Sequence, residues 1–146
     1  MTTLTTREVF QAGTDAFNAH DIDAFAELLA DDVVFDAPGM PRDSGRAACA
    51  AFYRGWIEAF PDARVEVDAV HEPGDGVVIE EGRFVGTHAG PLTTPAGAIP
   101  ATGRSVEVPY VHVLHFREGK HAFLGLTFDR LLMLEQLGLM PAAAGA

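Results

Sequence analysis

Apolar residues recur along this chain at two periods, first every three or four positions and then every second one. Thr5-Thr6-Arg7-Glu8 reads as a capping box, and Val9, Phe10, Gly13, Ala16 and Phe17 follow at helical spacing, so a first helix buries a Phe-bearing face. Asp21 can cap a second short helix, in which Ile22, Phe25, Leu28 and Leu29 again recur at three and four. Val33 to Asp36 reads as a short strand, stopped by Pro38-Gly39 and Pro41. From Ser44 the spacing of Cys49, Phe52, Trp56 and Phe60 predicts a third helix, which Pro61 ends and which carries the largest aromatic surface of the chain.

The period then drops to two. Ala63 to Glu72 and Val77 to Val85 read as strands around a turn at Pro73-Gly74-Asp75-Gly76. Residues 87–104, rich in Gly, Pro and Thr, are too long for a tight hairpin; a loop of that length is usually functional or interfacial, which predicts a pocket rim or a dimer contact. Ser105 to Phe116 and Lys120 to Phe128 pair around Arg117-Glu118-Gly119, where the glycine can take the left-handed position of a three-residue loop. Arg130 to Leu137 is a final helix, with Gly138 as its stop and Pro141 beyond, and Ala142 to Ala146 is expected to be a flexible tail. Three helices, a long antiparallel sheet and a short helix make an α+β order in one domain, residues 1–141. A strongly curved sheet wrapped by the helices would leave a cavity at its open end.

Composition narrows the function more than the fold. At 146 residues, 48% of them apolar and 21% charged, the chain is a single globular domain with a real core. Ten Lys and Arg against 21 acids give a net charge of -11, which excludes nucleic acid and anionic membrane surfaces as partners. A single cysteine, Cys49, fits a reducing cytoplasm. The N-terminus lacks the basic flank and apolar core of a signal peptide and no apolar run would span a bilayer, so a soluble cytoplasmic protein is expected.

Several spaced words point to a family. Gly86-Thr87-His88-Ala89-Gly90-Pro91 is followed by Pro100-Ala101-Thr102-Gly103-Arg104-Ser105-Val106-Glu107-Val108-Pro109 and closed by Phe128-Asp129-Arg130 with Gln136-Leu137-Gly138. Phe60-Pro61-Asp62 before Val65-Glu66-Val67, and Asp31-Asp32-Val33-Val34-Phe35, extend the pattern over nearly the whole chain. In these words the chain resembles the SnoaL-like polyketide cyclase family of the nuclear-transport-factor-2-like (NTF2-like) superfamily. The resemblance implies an NTF2-like cone, a curved antiparallel β-sheet wrapped by N-terminal helices around an apolar pocket. It also implies a homodimer through the outer sheet face and no cofactor. The implied activity is of cyclase or isomerase type, an intramolecular aldol closure on a polycyclic, ketone-rich metabolite.

The acid–base residues follow from the same resemblance. Asp129 is placed by it at the end of the last strand near the pocket mouth, where a carboxylate against apolar walls could remove a proton next to a carbonyl. An Asp directly before Arg130-Leu131-Leu132 is also a natural N-cap for the last helix, and on sequence alone capping is the commoner role. His112 and His115 share a strand but face opposite sides, so only one can line the pocket and act as donor. With a three-residue loop His115 shares a face with Phe123, Thr127 and Asp129, whereas a two-residue loop at Glu118-Gly119 puts His112 and Tyr110 in the pocket. Phe17, Phe35, Tyr53, Trp56, Tyr110 and Phe123 are the expected apolar slot, with Phe17, Tyr53 and Trp56 preferred as lining.

Two stretches depart from the family. Phe123-Leu124-Gly125-Leu126 stands where relatives carry a polar and aromatic run, so an acid in that run would be lost; Gly125 and Phe123 would make the pocket roomier and drier. Glu80-Glu81-Gly82 stands where relatives more often show Arg-Trp, and a changed substrate is expected. Asp36 or Glu81 facing inward would supply the second carboxylate of an epoxide-opening enzyme, and cofactor-free hydroxylation or simple ligand binding are the further rivals. His88 is expected to hold the long loop, His20, His71 and His121 read as surface or hairpin residues, and Cys49 as a small buried hydrophobe. No histidine pair with a carboxylate has a metal-ligand spacing.

Overall fold

The computed structural model describes residues 4–140, so Pro141 and the expected tail at Ala142–Ala146 lie outside the described residues. The capping box forms as its sequence predicts: the Thr5 hydroxyl accepts the Glu8 N–H at 3.1 Å and the Glu8 carboxylate accepts the Thr5 N–H at 3.2 Å. It starts α1 (Thr6–Asn18), whose buried face is Val9, Phe10, Gly13, Ala16 and Phe17. Asp21 caps α2 (Ile22–Glu27), which is shorter than its spacing suggested because Leu29 already belongs to β1 (Leu29–Asp36). Ser44 does not begin a helix: β2 (Asp43–Ser44) pairs with β1 through Val34, and α3 (Arg46–Ala59) starts after Gly45.

The strands β3 (Arg64–Gly74), β4 (Val77–Thr87), β7 (Ser105–Arg117) and β8 (Lys120–Phe128) form an antiparallel run, and α4 (Arg130–Gln136) is the last element of the described residues. The sheet order is β2-β1-β8-β7-β4-β3, and β1 lies parallel to β8. The sheet is therefore mixed, a correction to the all-antiparallel expectation. Only the hairpins are encoded locally, whereas the β1–β8 pairing is made between strands some ninety residues apart, where no turn signal exists. The β7–β8 connection is also tighter than a three-residue loop. Arg117 pairs with Lys120, and Glu118 and Gly119 take φ of 52° and 73°, the mirror-image turn whose twist matches a hairpin.

That turn fixes which residues face the helices. Val106, Val108, Tyr110, His112 and Leu114 of β7 share the inner face, and the helical residues Phe10, Phe17, Phe25 and Tyr53 pack over it. Each fully buried Leu or Phe of this layer contributes roughly 1.5–3 kcal/mol.

The long loop is ordered by its histidine. The His88 N–H donates to Arg104 O and its carbonyl accepts the Gly103 N–H, both at 2.8 Å, while Thr102 contacts Nδ1 through its N–H at 3.2 Å and its hydroxyl at 3.0 Å. The Ala89 and Gly90 N–H groups both donate to Ala59 O at the end of α3, and β5 (Leu92–Thr94) and β6 (Gly97–Ile99) form a small hairpin beyond. His88 thus holds the loop, as expected. No residue of 88–104 lines the cavity described below, which corrects the pocket-rim reading. A Cβ at Gly90 would fall on the backbone carbonyl oxygen of Glu58. Gly90→Ala is therefore expected to cost at least ~2 kcal/mol, read as a lowered urea midpoint, because backbone rather than a mobile side chain must give way.

Candidate active site

Helices α1, α2 and α3 cover a cavity of about 90 Å³ on the inner face of β4, β7 and β8. Its walls are mostly apolar, and the polar side chains among them are Thr14, Glu80, His112 and His121, with the hydroxyls of Tyr53 and Tyr110. Glu80 is 4% exposed and is the one buried acid among the described residues. It reaches the cavity because β4 alternates: Val78, Glu80 and Gly82 are buried while Glu81 faces solvent and bonds His71 at 2.8 Å.

Four side chains form an unbroken hydrogen-bonded chain. The Tyr110 hydroxyl donates to Glu80 Oε2 at 2.6 Å, a length typical of a hydroxyl on a carboxylate. Glu80 Oε1 lies 3.3 Å from His112 Nδ1, and His112 Nε2 lies 2.8 Å from the Tyr53 hydroxyl. The neutral tautomer that satisfies both contacts carries its proton on Nδ1 and accepts the Tyr53 O–H at Nε2. Burial, then the Glu80 carboxylate, push the Tyr110 hydroxyl far above the ordinary tyrosine range; burial does the same to Tyr53, helped by neighbouring anionic groups. Both phenols therefore stay protonated as donors. Gly82 makes the arrangement possible, since a Cβ there would stand 2.7 Å from the Tyr110 hydroxyl.

His121 is 2% exposed, lines the cavity, and neither ring nitrogen has a hydrogen-bond partner in the protein. Phe25 and Phe116 flank it, with ring centroids 6.0 and 4.5 Å away. Burial, with a smaller contribution from His112, holds its pKa down from 6.5 to about 3, so the ring is neutral. An unpartnered buried polar group costs about 1–3 kcal/mol. The surface reading of His121 is thus corrected.

Of the expected lining, Phe17, Tyr53, Trp56, Tyr110 and His112 are in the cavity wall. Phe35 is fully buried but packs on Phe52, with ring centroids 5.8 Å apart, behind the wall. The residues that share a face with His115 do so on the outer side of the sheet. His115 is exposed and meets Phe123 at 5.2 Å, Phe123 lies under Arg42, and Thr127 is exposed. Asp129 is exposed as well, and its Oδ1 accepts the Leu132 N–H at 3.0 Å as the N-cap of α4. Gly125 and Phe123 accordingly do not enlarge the cavity; Leu124 and Leu126 are the residues of that run that face it. Asp36 is half-buried and bonded to Arg42 at 2.9 Å, and Cys49 is fully buried with its thiol pushed up to about 12 by burial. Among the described residues no group of three or more His, Cys, Asp or Glu is placed to hold a metal ion, and no helix is long and apolar enough to cross a membrane.

Helices packed on one face of a mixed sheet, enclosing an apolar cavity with a buried hydrogen-bonded acid–histidine pair, define an α+β ligand-cavity domain. The chain belongs to the SnoaL-like domain family, whose model matches residues 10–123. Its fold is shared with a candidate SnoaL-like polyketide cyclase from Jannaschia sp. CCS1, at TM-score 0.80 and 21% identity over 93% of each chain. A candidate polyketide cyclase from Pseudomonas putida KT2440 matches at TM-score 0.74 and 25% identity, over 91% of this chain and 98% of the other. IdmH, a candidate polyketide cyclase from Streptomyces antibioticus, matches at TM-score 0.75 and 25% identity, over 92% and 99%. No curated protein matches the sequence.

Proposed function

We propose that this protein is an acid–base enzyme, needing no cofactor, that enolises a small, uncharged, apolar ketone. His112 is the base, Glu80 positions it, and Tyr53 donates to the enolate oxygen. The chain Tyr53–His112–Glu80–Tyr110 inside a mostly apolar cavity carries this reading. When a ketone enters, its oxygen takes the Tyr53 O–H and frees Nε2 of His112 to accept a proton from the adjacent carbon. Glu80 then faces the imidazolium and Tyr53 the enolate oxygen, so both new charges are met by groups already in place. In a β,γ-unsaturated ketone, returning the proton to the γ-carbon of the dienolate gives the conjugated isomer. Attack of the enolate carbon on a second carbonyl, with the proton passed to the new alkoxide, gives an aldol ring; no atom is lost in either course.

Family membership and the cyclase names of related structures support this class of chemistry. The inner face of the last strand holds Leu124 and Leu126, and we assign the acid's task to Glu80 on β4 instead. At about 90 Å³ the cavity is below the roughly 300–1,000 Å³ of pockets for drug-sized ligands. It fits a single ring as it stands, and a polycyclic substrate would require Phe17, Trp56 and Phe128 to withdraw. Epoxide opening through Asp36 or Glu81 is disfavoured, because the first is paired with Arg42 and the second faces solvent.

Solvent deuterium incorporation into cyclohexanone and cyclopentanone tests the proposal. Loss of the α-proton NMR signals at least about a hundredfold faster than in buffer is expected from a positioned base. Binding of these ketones without any exchange would leave a ligand carrier in place of an enzyme.

A further inference from the structure

We infer that His121 is a second polar contact of the cavity, which selects an uncharged, single-ring ligand bearing a hydroxyl, of the phenol or enol class. This rests on reading the cavity as a ligand site, but not on turnover. The imidazole lines the cavity, is 2% exposed, and has no partner at either nitrogen. The other cavity-facing positions of β8 are Leu124, Leu126 and Phe128, any of which would pack at position 121 with nothing left unsatisfied. An imidazole there is unfavourable for the empty protein, and a ligand that bonds it removes the penalty.

The neighbouring helix departs from its own local preference at the same point. Gly13 sits inside α1, where glycine weakens a helix, and a Cβ at that position would stand 3.2 Å from His121 Nε2. Two local rules broken at one contact mark a place shaped for something other than stability.

The surroundings specify the ligand. Phe25 lies between the polar ends, its ring 5.1 Å from Tyr53 and 6.0 Å from His121, so an aromatic or enolic ring can lie against it with its hydroxyl directed at His121, the end whose nitrogens have no partner. The volume of about 90 Å³ admits one such ring. Neutral imidazole offers one N–H and one acceptor nitrogen, which a hydroxyl matches in both senses. An anionic ligand would bring a second negative charge into the apolar space that holds the Glu80 carboxylate.

The test uses the whole protein with nitrogen-15-labelled histidine and three probes: phenol, toluene and benzoate. Phenol is expected to bind about tenfold more tightly than toluene and to move the His121 ring-nitrogen resonances, while benzoate binds more weakly than either. In His121→Leu the preference for phenol over toluene should vanish, and His121→Gln should restore part of it. Equal binding of phenol and toluene, unmoved His121 resonances in the native protein, or a preference that survives His121→Leu would each overturn the inference. A phenol preference without ketone exchange would keep this inference and remove the acid–base reading; exchange without the preference would do the reverse.

Discussion

Glu80→Gln is expected to slow α-proton exchange about a thousandfold while ligand affinity changes less than about threefold. A thousandfold is about 4 kcal/mol at the transition state, the scale on which a carboxylate behind a catalytic imidazole acts. Glutamine has the same shape. Its amide oxygen can still accept from His112 Nδ1, and the Tyr110 hydroxyl, 2.6 Å from the present carboxylate, can turn to accept from the amide nitrogen. The fold and the cavity wall should therefore survive. What disappears is the negative charge facing the imidazolium that forms only when His112 takes the substrate proton. Asp129→Asn is the decisive comparison, since asparagine caps a helix about as well as aspartate and α4 should be untouched. It is expected to exchange at the native rate. Native exchange in Glu80→Gln would sink the proposed mechanism, and loss in Asp129→Asn would move the base to the start of α4.

These two carboxylates show where the sequence was legible. The helix faces and most strand limits follow from spacing, because a 3.6- or 2-residue period is imposed by the backbone itself. Asp129 carried two readings, and the geometry realises the capping one. Glu80 had a usable signal: it lies in phase with Val78 and Phe84, an acid at an inward position of a strand. The adjacent Glu81 hid it, since a Glu-Glu pair puts one carboxylate on each face whichever way the strand is turned. The tight turn at Glu118-Gly119 decided between His112 and His115, and two-residue against three-residue closure is a choice the local residues leave open.

His121 was concealed by a different device. Counting back from Leu126 and Leu124 by twos puts residues 122 and 120 inside and His121 outside. The pairing shifts between His115↔Phe123 and Phe116↔His121, so β8 has one extra residue there and the alternation reverses. Position 121 thereby joins Leu124 on the inner face. A β-bulge is invisible to periodicity because it is the point where the period fails.

The same burial predicts how stability responds to acid. The unfolded chain protonates His121 near 6.5, whereas the folded protein does so only near 3, so the unfolded state binds more protons between these values and stability falls as pH drops through them. From pH 7 to pH 5 this one group should remove about 2 kcal/mol, and by pH 3 about 4 kcal/mol. His88, buried against Phe60 with its pKa also lowered by burial, acts in the same direction. Against a typical total of roughly 5–15 kcal/mol, the loss should be plain in urea midpoints measured at pH 7 and pH 5. His121→Leu should be more stable than the native protein at pH 7, because an apolar group replaces an unsatisfied one, and should lose most of the difference between the two pH values. Equal pH sensitivity in the native protein and the variant would mean that the imidazole is solvated or paired in solution, and the cavity would then be wetter than its apolar walls imply.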